Sequence, residues 1–275
     1  MKITILVDNY VTKRNFIAEH GFSALIEDRE KRILFDTGQG YALMHNLKVK
    51  NINPKTIKTV VLSHGHDDHT GGLEVFYKEN NEFELIAHPD VVYPKFKIMG
   101  EVKQNIGLKI GLSKFNKHFS KVPFAITPYV IFSGEVPKIN QWELEEKSYY
   151  REKNGKLEKD PFSDDVSLFI PLKDKKLLVL TGCAHSGIIN IIQYGMKVTG
   201  MNKLYGVIGG MHLKNASKRR IERTAEMLYE MDPSFITLSH CTGIPAGIEF
   251  TKKLKDRVIF TDVSKEFKYD MYSKN

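Results

Sequence analysis

The stretch Leu62–Gly72, with the sequence LSHGHDDHTGG, holds three histidines and two aspartates. It follows a β-branched run that predicts a strand, so the polar residues leave that strand at its end. His64 and His66 are two residues apart, and in an extended segment both imidazoles therefore face the same side. Asp68 and His69 lie beyond a bend and point elsewhere. This pattern predicts one metal ion at His64 and His66, and a second at Asp68 and His69.

The donor types in this stretch limit the choice of metal. Imidazole together with carboxylate suits zinc, iron or manganese, whereas calcium and magnesium prefer oxygen ligands alone. We therefore expect two divalent transition-metal ions, zinc first, with manganese or iron as alternatives. Four ligands do not complete two tetrahedral sites, so further ligands must come from other parts of the chain.

Two later strand ends supply further candidate ligands. An apolar run ending at Thr181 is followed by Cys183 and His185, which repeat the spacing of two, and another apolar run is followed by His240. We expect Cys183, His185 and His240 to bind metal. Cys241 adjoins His240, and because neighbours on a strand point apart, we place Cys241 outside the ligand set.

Strand patterns alternate with helical patterns along the chain, which is typical of an α/β fold. Helices are predicted at Gly72–Tyr77, at Lys218–Met231 and around Ile188. The predicted strands are Lys2–Val7, Phe22–Ile26, Arg32–Phe35, Lys58–Leu62, Phe83–Ala87, Leu177–Leu180, Tyr205–Ile208, Phe235–Leu238 and Val258–Phe260. Two β-rich halves with outer helices indicate two packed sheets in one domain spanning residues 1–275. Residues 94–161 lack clear periodicity and are interpreted as an insertion or lid.

A family resemblance rests on two of these segments. His64–His69 matches the H-x-H-x-D-H motif of the metallo-β-lactamase superfamily, and Phe35–Gly38 resembles its Asp-x-Gly element at a strand end. The resemblance implies a four-layer αβ/βα sandwich with the site at the sheet edges. It also implies that Asp36 stands behind a ligand histidine and orients it.

Further segments resemble one subgroup of that superfamily, named for 7,8-dihydropterin-6-yl-methyl-4-(β-D-ribofuranosyl)aminobenzene 5′-phosphate synthase. They are Gly134–Pro137, Thr181–Gly187, Gly209–Leu213 and His240–Gly243. The resemblance implies condensation of a dihydropterin alcohol pyrophosphate with an arylamine, with loss of pyrophosphate.

The chain departs from the superfamily pattern at two ligand positions. The hydrolases of the superfamily carry a bridging aspartate after Thr-Gly, where this chain has Cys183. Their third histidine is missing, and Asp164 and Asp165 stand near its place. His185, Asp164 and Asp165 are the alternatives for filling this gap, and Cys183 as a thiolate would bind or bridge the metals.

The remaining histidines differ in setting. His212 follows a glycine turn at a strand end, and it is interpreted as a substrate contact or proton-transfer group, as a ligand, or as structural. Asp68 is expected to accept a proton in catalysis or to act only as a ligand. His88 ends a predicted strand and is a candidate substrate contact. No role is expected for the other three histidines, which are His20, His45 and His118.

The chain is basic, with 41 Lys and Arg against 33 Asp and Glu and a formal charge of +8. Seven lysines and one acid lie between Lys95 and Lys121. Such a surplus favours acidic partners, so we expect Lys95 and Lys97 to bind a substrate phosphate from the lid. The alternative is that these lysines only keep the surface solvated. Candidates for stacking on a planar substrate are Tyr93, Phe96 and Trp142.

These features predict a metal-dependent enzyme acting on a phosphate ester or pyrophosphate of a small molecule, by hydrolysis or by the condensation above. The alternatives are a nuclease, a lactone or thioester hydrolase, and a metal-binding protein without catalysis. Few aromatics interleave the basic segment, which disfavours nucleic acid as a partner. We find no signal-peptide pattern, no apolar run of ~18 residues and no disulfide framework, which favours a cytoplasmic protein without a membrane partner. The oligomeric state is left open.

Overall fold

The structure is a computed structural model that describes residues 1–269. Within that range the chain forms eighteen strands and six α-helices. The strands are β1 Lys2–Val7, β2 Ser23–Asp28, β3 Lys31–Phe35, β4 Thr59–Val61, β5 Glu84–Ala87, β6 Lys95–Met99, β7 Val102–Asn105, β8 Asn116–Phe119, β9 Phe124–Thr127, β10 Val130–Phe132, β11 Tyr149–Lys153, β12 Lys156–Lys159, β13 Ser167–Pro171, β14 Lys176–Thr181, β15 Lys203–Gly209, β16 Phe235–Leu238, β17 Val258–Phe260 and β18 Glu266–Lys268. The helices are α1 Leu43–Val49, α2 Asp67–Thr70, α3 Leu73–Glu79, α4 Ile188–Thr199, α5 Lys218–Glu230 and α6 Ile244–Leu254.

Two seven-stranded sheets form the body of the molecule, with strand orders β18-β1-β2-β3-β4-β5-β8 and β17-β16-β15-β14-β13-β10-β9. Each sheet has an antiparallel half and a parallel half. The parallel strands are β3, β4, β5 and β8 in the first sheet and β14 to β17 in the second. The strands expected from the sequence are all present, with bounds that agree within two residues.

Side chains alternate between the two faces of each sheet, and the buried ones form three apolar layers. Ile3 and Ile5 of β1 face the space between the sheets with Leu178 and Leu180 of β14. The intervening residues face outward, as Val179 does toward the layer under α4, α5 and α6. A third layer lies under α1 and α3. Because side chains on a strand alternate sides, each sheet buries both faces. The expected four-layer αβ/βα sandwich is thus confirmed.

Residues 94–161 do not form a single insertion, because their strands belong to three different sheets. The strand β8 pairs with β5 at the edge of the first sheet, and β9 and β10 belong to the second. Only β6, β7, β11 and β12 form a separate sheet, with the order β12-β11-β6-β7. The weak periodicity of this region reflects short strands whose residues are almost all exposed, such as β7, β8 and β12, rather than a lack of strands.

The parallel strands decide where polar side chains gather. The strands β3, β4, β14, β15 and β16 all end at one edge of the sandwich, and each is followed directly by a loop that carries a candidate residue. Among the described residues, no helix has the length and apolar character that crossing a membrane requires.

Gly209 shows how tightly this edge is built. Its φ is +112°, and a Cβ at this position would lie 1.9 Å from the backbone oxygen of Thr181. Gly209→Ala is therefore expected to lower the free energy of unfolding by about 3 kcal/mol or more, since backbone strain and a backbone clash add. Denaturant unfolding measures this loss.

Gly200→Ala is the matched control, because Gly200 has a φ of +70° and no atom within 4 Å of the added Cβ. Backbone strain alone should cost it about 1 kcal/mol. Equal losses in the two variants would show that the close approach at Thr181 does not constrain the fold.

Candidate metal centre

Two groups of donor atoms meet at this edge and share one thiol. His64, Cys183 and His185 have ligand atoms within 4.8 Å of one another, and so do His69, Cys183 and His240. The Nε2 atoms of His69 and His240 are 3.2 Å apart, and Cys183 Sγ is 3.1 Å from His69 Nε2. The structure thus brings together residues that are more than 100 positions apart in the sequence.

His66 completes the first group from the mouth of the site. Its ring centroid lies 4.5 Å from that of His64 and 4.9 Å from that of His185. The buried Nε2 atoms of His64, His66 and His185 have no hydrogen-bond partner among residues 1–269. Buried polar atoms ordinarily have partners, so three such nitrogens on rings whose centroids lie within 4.9 Å of one another fit a bound metal ion.

Asp36 holds both donor groups in place. Its carboxylate accepts hydrogen bonds from His69 Nδ1 at 2.7 Å, from Ser63 N at 2.7 Å and from Ser63 Oγ at 2.7 Å. Ser63 Oγ in turn lies 2.9 Å from His64 Nδ1. A carboxylate that binds the Nδ1–H of histidine fixes the orientation of the ring and turns Nε2 toward the other donor atoms. The resemblance implied this position for Asp36, and its role behind a metal ligand stays a prediction.

Asp8 and Asn9 give the same support to His240, and sequence reasoning missed both. Asp8 accepts a hydrogen bond from His240 N at 2.8 Å, and Asn9 Oδ1 lies 3.0 Å from His240 Nδ1. Both residues directly follow β1, whose C-terminal end reaches the site edge. A polar pair after an apolar strand was the available signal.

The protonation of the histidines differs between the two groups. Burial lowers the pKa of His64 and of His185 well below the usual range, and burial with nearby Lys95 lowers the pKa of His66 to about 3. For His69, burial opposes the charged form, but Asp68 and Asp36 outweigh it and raise the pKa to about 9. The first group therefore offers free lone pairs at neutral pH, while an ion at His69 must displace a proton.

Asp164 and Asp165 do not point at the donor atoms. Asp164 accepts hydrogen bonds from Gly65 N at 2.8 Å and Lys95 Nζ at 2.8 Å, and Asp165 accepts one from Ser186 N at 2.7 Å. The adjacent aspartates thus fasten the two loops that carry the first donor group. One oxygen of Asp165, Oδ1, has no hydrogen-bond partner among residues 1–269. Both aspartates are nevertheless disfavoured as alternatives for the missing third histidine, because neither belongs to a described group of donor atoms within 4.8 Å of one another.

The expected role of Lys95 is wrong. Its side chain is 1% exposed, and Nζ donates to Asp160 at 2.7 Å and to Asp164. An ammonium that neutralises two buried carboxylates is not free to bind a substrate phosphate. His88 is likewise fully buried, with Nδ1 accepting from Asp90 N, so the expected substrate contact is also wrong.

A cavity of about 250 Å³ opens onto the donor atoms. Its lining includes Lys97 and Tyr149 of the four-stranded sheet and Lys214 in the loop after β15. Tyr149 stacks on His66 with ring centroids 5.5 Å apart.

The stacking candidates named from the sequence lie elsewhere. Trp142 packs against the apolar layer under α4 to α6, and cationic side chains cover Tyr93 and Phe96. Tyr149 and Lys214 were missed because nothing local in the sequence distinguishes them.

Two residues that we had set aside lie at the centre. Cys241 is in a 3₁₀ turn, His240–Thr242, rather than on a strand, so its thiol can face the same space as the His240 ring; Sγ lies 3.2 Å from Cys183 Sγ. His20 Nε2 lies 3.4 Å from Asp68 Oδ2 at the cavity mouth. The reasoning that excluded each residue from the site is wrong.

Comparison with known proteins agrees with this architecture. The family model for the metallo-β-lactamase superfamily matches residues 17–154. A relative from Methanocaldococcus jannaschii is 35% identical over 93% of this chain and 92% of its own length. This chain belongs to the metallo-β-lactamase superfamily.

The metallo-β-lactamase relatives extend over nearly the whole chain. The relative above is named 7,8-dihydropterin-6-methyl-4-(β-D-ribofuranosyl)-aminobenzene-5′-phosphate synthase. An uncharacterized protein of the same organism is 38% identical over 89% of this chain and 91% of its own. A crystal structure described as a metal-dependent hydrolase of the β-lactamase superfamily superposes with a TM-score of 0.85 and 26% identity, covering 98% of this chain and 100% of that one. This protein is thus an enzyme of the metallo-β-lactamase fold, which implies divalent metal binding.

Lys95→Met tests the structural role of the buried lysine in this metallo-β-lactamase fold. Removing one partner of a buried ion pair costs about 3–5 kcal/mol, and here two carboxylates lose their cation. Burial alone would raise the pKa of Asp164, but the Lys95 ammonium holds it below its usual range. The stabilising effect of this ionised carboxylate is present above its unfolded pKa and is lost as the pH falls through its folded pKa. The variant's deficit should therefore shrink below about pH 4.

Lys97→Met is the matched control, since Lys97 lies two residues away on the same strand and is half exposed. Its unfolding free energy should change by no more than about 0.5 kcal/mol. Denaturant unfolding at several pH values measures the unfolding free energies of both variants and of the wild-type protein. A small, pH-independent loss in Lys95→Met would refute the buried ion-pair role.

Proposed function

We propose that this protein uses two divalent transition-metal ions to act on a phosphate ester or pyrophosphate of a small molecule. The observation that carries the proposal is the buried set of imidazole nitrogens that lack hydrogen-bond partners within residues 1–269 and surround Cys183. His64, His66 and His185 would hold one ion, and Asp68, His69 and His240 the other, with Cys183 between them. Zinc is the first choice because imidazole and thiolate together suit it better than manganese.

The walls of the cavity support an anionic substrate. Lys97 and Lys214 both line the cavity, and the Lys97 ammonium lies 5.4 Å from the ring centroid of Tyr149. Burial raises the pKa of the Tyr149 hydroxyl above its usual range, so the group stays protonated and can donate to a phosphate oxygen. Two cations and a hydroxyl donor at one mouth match the charge and geometry of a phosphate group.

Bound ions would supply positive charge that polarises the group under attack and stabilises the leaving oxygen. In this reaction Asp68 is better suited to bind a metal ion than to accept a proton as a general base. Burial opposes its ionisation, but His69 and His240 hold the pKa of Asp68 well below its usual range, and a weak base accepts protons poorly. The sheet formed by β6, β7, β11 and β12 would act as a lid that excludes water from the cavity.

The synthase relative favours condensation with loss of pyrophosphate as the reaction, with hydrolysis of a phosphate ester as the second candidate. Both reactions need a site for phosphate oxygens beside the metal donors. A cavity of about 250 Å³ fits part of a small molecule better than a nucleic acid strand, which disfavours the nuclease alternative. We also propose that residues 1–275 act as a single domain.

Metal content is the direct test of the donor set. The protein reconstituted with zinc should hold two ions per chain by elemental analysis, and changing His64 and His66 together to alanine should reduce this to one, since two ligands of one ion are lost. Changing His45 and His118 together to alanine is the matched control and should leave the content unchanged. A wild-type protein that takes up no transition metal at neutral pH would contradict the proposal.

Substrate charge is tested at the cavity mouth. In Lys97→Ala and Lys214→Ala the KM for an aryl phosphate ester should rise about 10-fold or more, because each charge-assisted hydrogen bond contributes about 1.5–3 kcal/mol. Turnover of a neutral lactone should not change. Steady-state kinetics on both substrates measure the contrast.

Lys103→Ala serves as the control for that experiment, because the Lys103 ammonium lies 3.9 Å from the ring centroid of Phe96 and is not part of the cavity lining. Equal KM values for the ester in all variants would exclude the two lysines as phosphate ligands. Preferential turnover of the lactone, or of an oligonucleotide, by the wild-type protein would replace the proposed substrate class.

A further inference from the structure

Cys241 stands beside the centre without a role in the two donor groups described above. Its side chain is buried, its thiol is 3.2 Å from that of Cys183, and its Sγ accepts a hydrogen bond from His212 N at 3.3 Å. Two free thiols at this separation, beside four buried imidazoles, are poorly explained as packing, since cysteines placed only for packing need not face one another across a polar site.

His212 completes a third group of donors. The ligand atoms of Cys183, His212 and Cys241 all lie within 4.8 Å of one another. The Nδ1 atom of His212 is buried and has no hydrogen-bond partner among residues 1–269, whereas Nε2 lies 3.2 Å from Glu146 Oε1.

The contact between Glu146 and His212 repeats the arrangement of Asp36 and His69. In each case a carboxylate occupies one ring nitrogen and leaves the other facing thiols of the centre. Carboxylates placed behind histidines in this way are typical of metal ligands, because they fix the tautomer and the ring orientation. Arg220, whose Nη1 lies 3.9 Å from the same Glu146 oxygen, keeps that carboxylate charged and in position.

We propose that Cys241 and His212 bind metal together with Cys183, so that the centre contains two thiolates rather than one. This inference rests on the proposed function, since it concerns the same ions. Its consequence is a preference for thiophilic ions, because a second thiolate in place of oxygen favours zinc or cobalt over manganese.

Cobalt-substituted protein tests the proposal without relying on activity. Sulfur-to-cobalt charge-transfer absorption reports the Co–S bonds directly, and Cys241→Ser should lower its intensity per chain by about a third to a half, since one thiolate of two is lost. X-ray absorption at the zinc edge of the unmutated protein should show sulfur from both cysteines. That measurement needs no variant and so does not depend on how a variant folds.

Glu146→Gln tests the histidine arm. The variant should weaken metal affinity about 10- to 100-fold in a chelator competition, as expected for a residue that orients a ligand. Glu145→Gln is the matched control, because Glu145 is the neighbouring residue, is exposed and accepts hydrogen bonds from Ser217.

The outcomes separate the two proposals. Unchanged charge-transfer intensity in Cys241→Ser, with zinc spectra that fit Cys183 as the one sulfur ligand, would overturn the role of Cys241 while leaving the dinuclear proposal intact. Equal affinities in Glu146→Gln and Glu145→Gln would overturn the role of His212. Failure of the wild-type protein to bind any metal would overturn both proposals, and the elemental analysis identifies that case.

Discussion

The carboxylate of Asp36 is the contact on which the rest of the centre depends. It lies at the end of β3 and binds Ser63 and His69, which stand at opposite ends of the histidine loop. Through Ser63 it also reaches His64, so one side chain orients an imidazole of each donor group. A buried carboxylate is costly unless its lone pairs are satisfied, and this one is satisfied only when the whole loop has folded around it.

The same contact relates the two sheets to each other. Gly182, which follows β14, packs against Ser63 so closely that a Cβ there would lie 2.1 Å from Ser63 Oγ. The loop that carries Cys183 and His185 is therefore placed against the loop that carries His64 and His66. The adjacent Asp164 and Asp165 accept hydrogen bonds from backbone amides of these two loops, Gly65 N and Ser186 N. The metal donors are thus positioned by contacts of the loops that carry them, in addition to any contact with an ion.

Sequence reasoning succeeded where the information is local. The strands alternate in polarity over a few residues, so their periodicity predicts them directly. His64, His66, Asp68 and His69 lie within six consecutive positions, so their spacing alone predicts that they share one site. It failed where a residue's setting depends on distant partners. In the sequence Lys95 cannot be distinguished from the six other lysines around it. Its buried position depends on an ion pair with Asp160, which lies 65 positions away. Cys241 was excluded because a strand was assumed where a single 3₁₀ turn, begun at a positive φ of 45° for His240, redirects the thiol.

The pairing of β18 with β1 has a consequence for how the protein is made. Lys2 lies opposite Lys268 in this ladder, and the amino group of Met1 donates to the carbonyl of Tyr269. A ribosome releases β1 first and β18 only after nearly all the other strands, so the first sheet stays open at one edge throughout translation. Such an edge offers unpaired N–H and C=O groups to other nascent chains. A chain that is cut or stalled before Glu266 would keep β1 exposed as a template for aggregation.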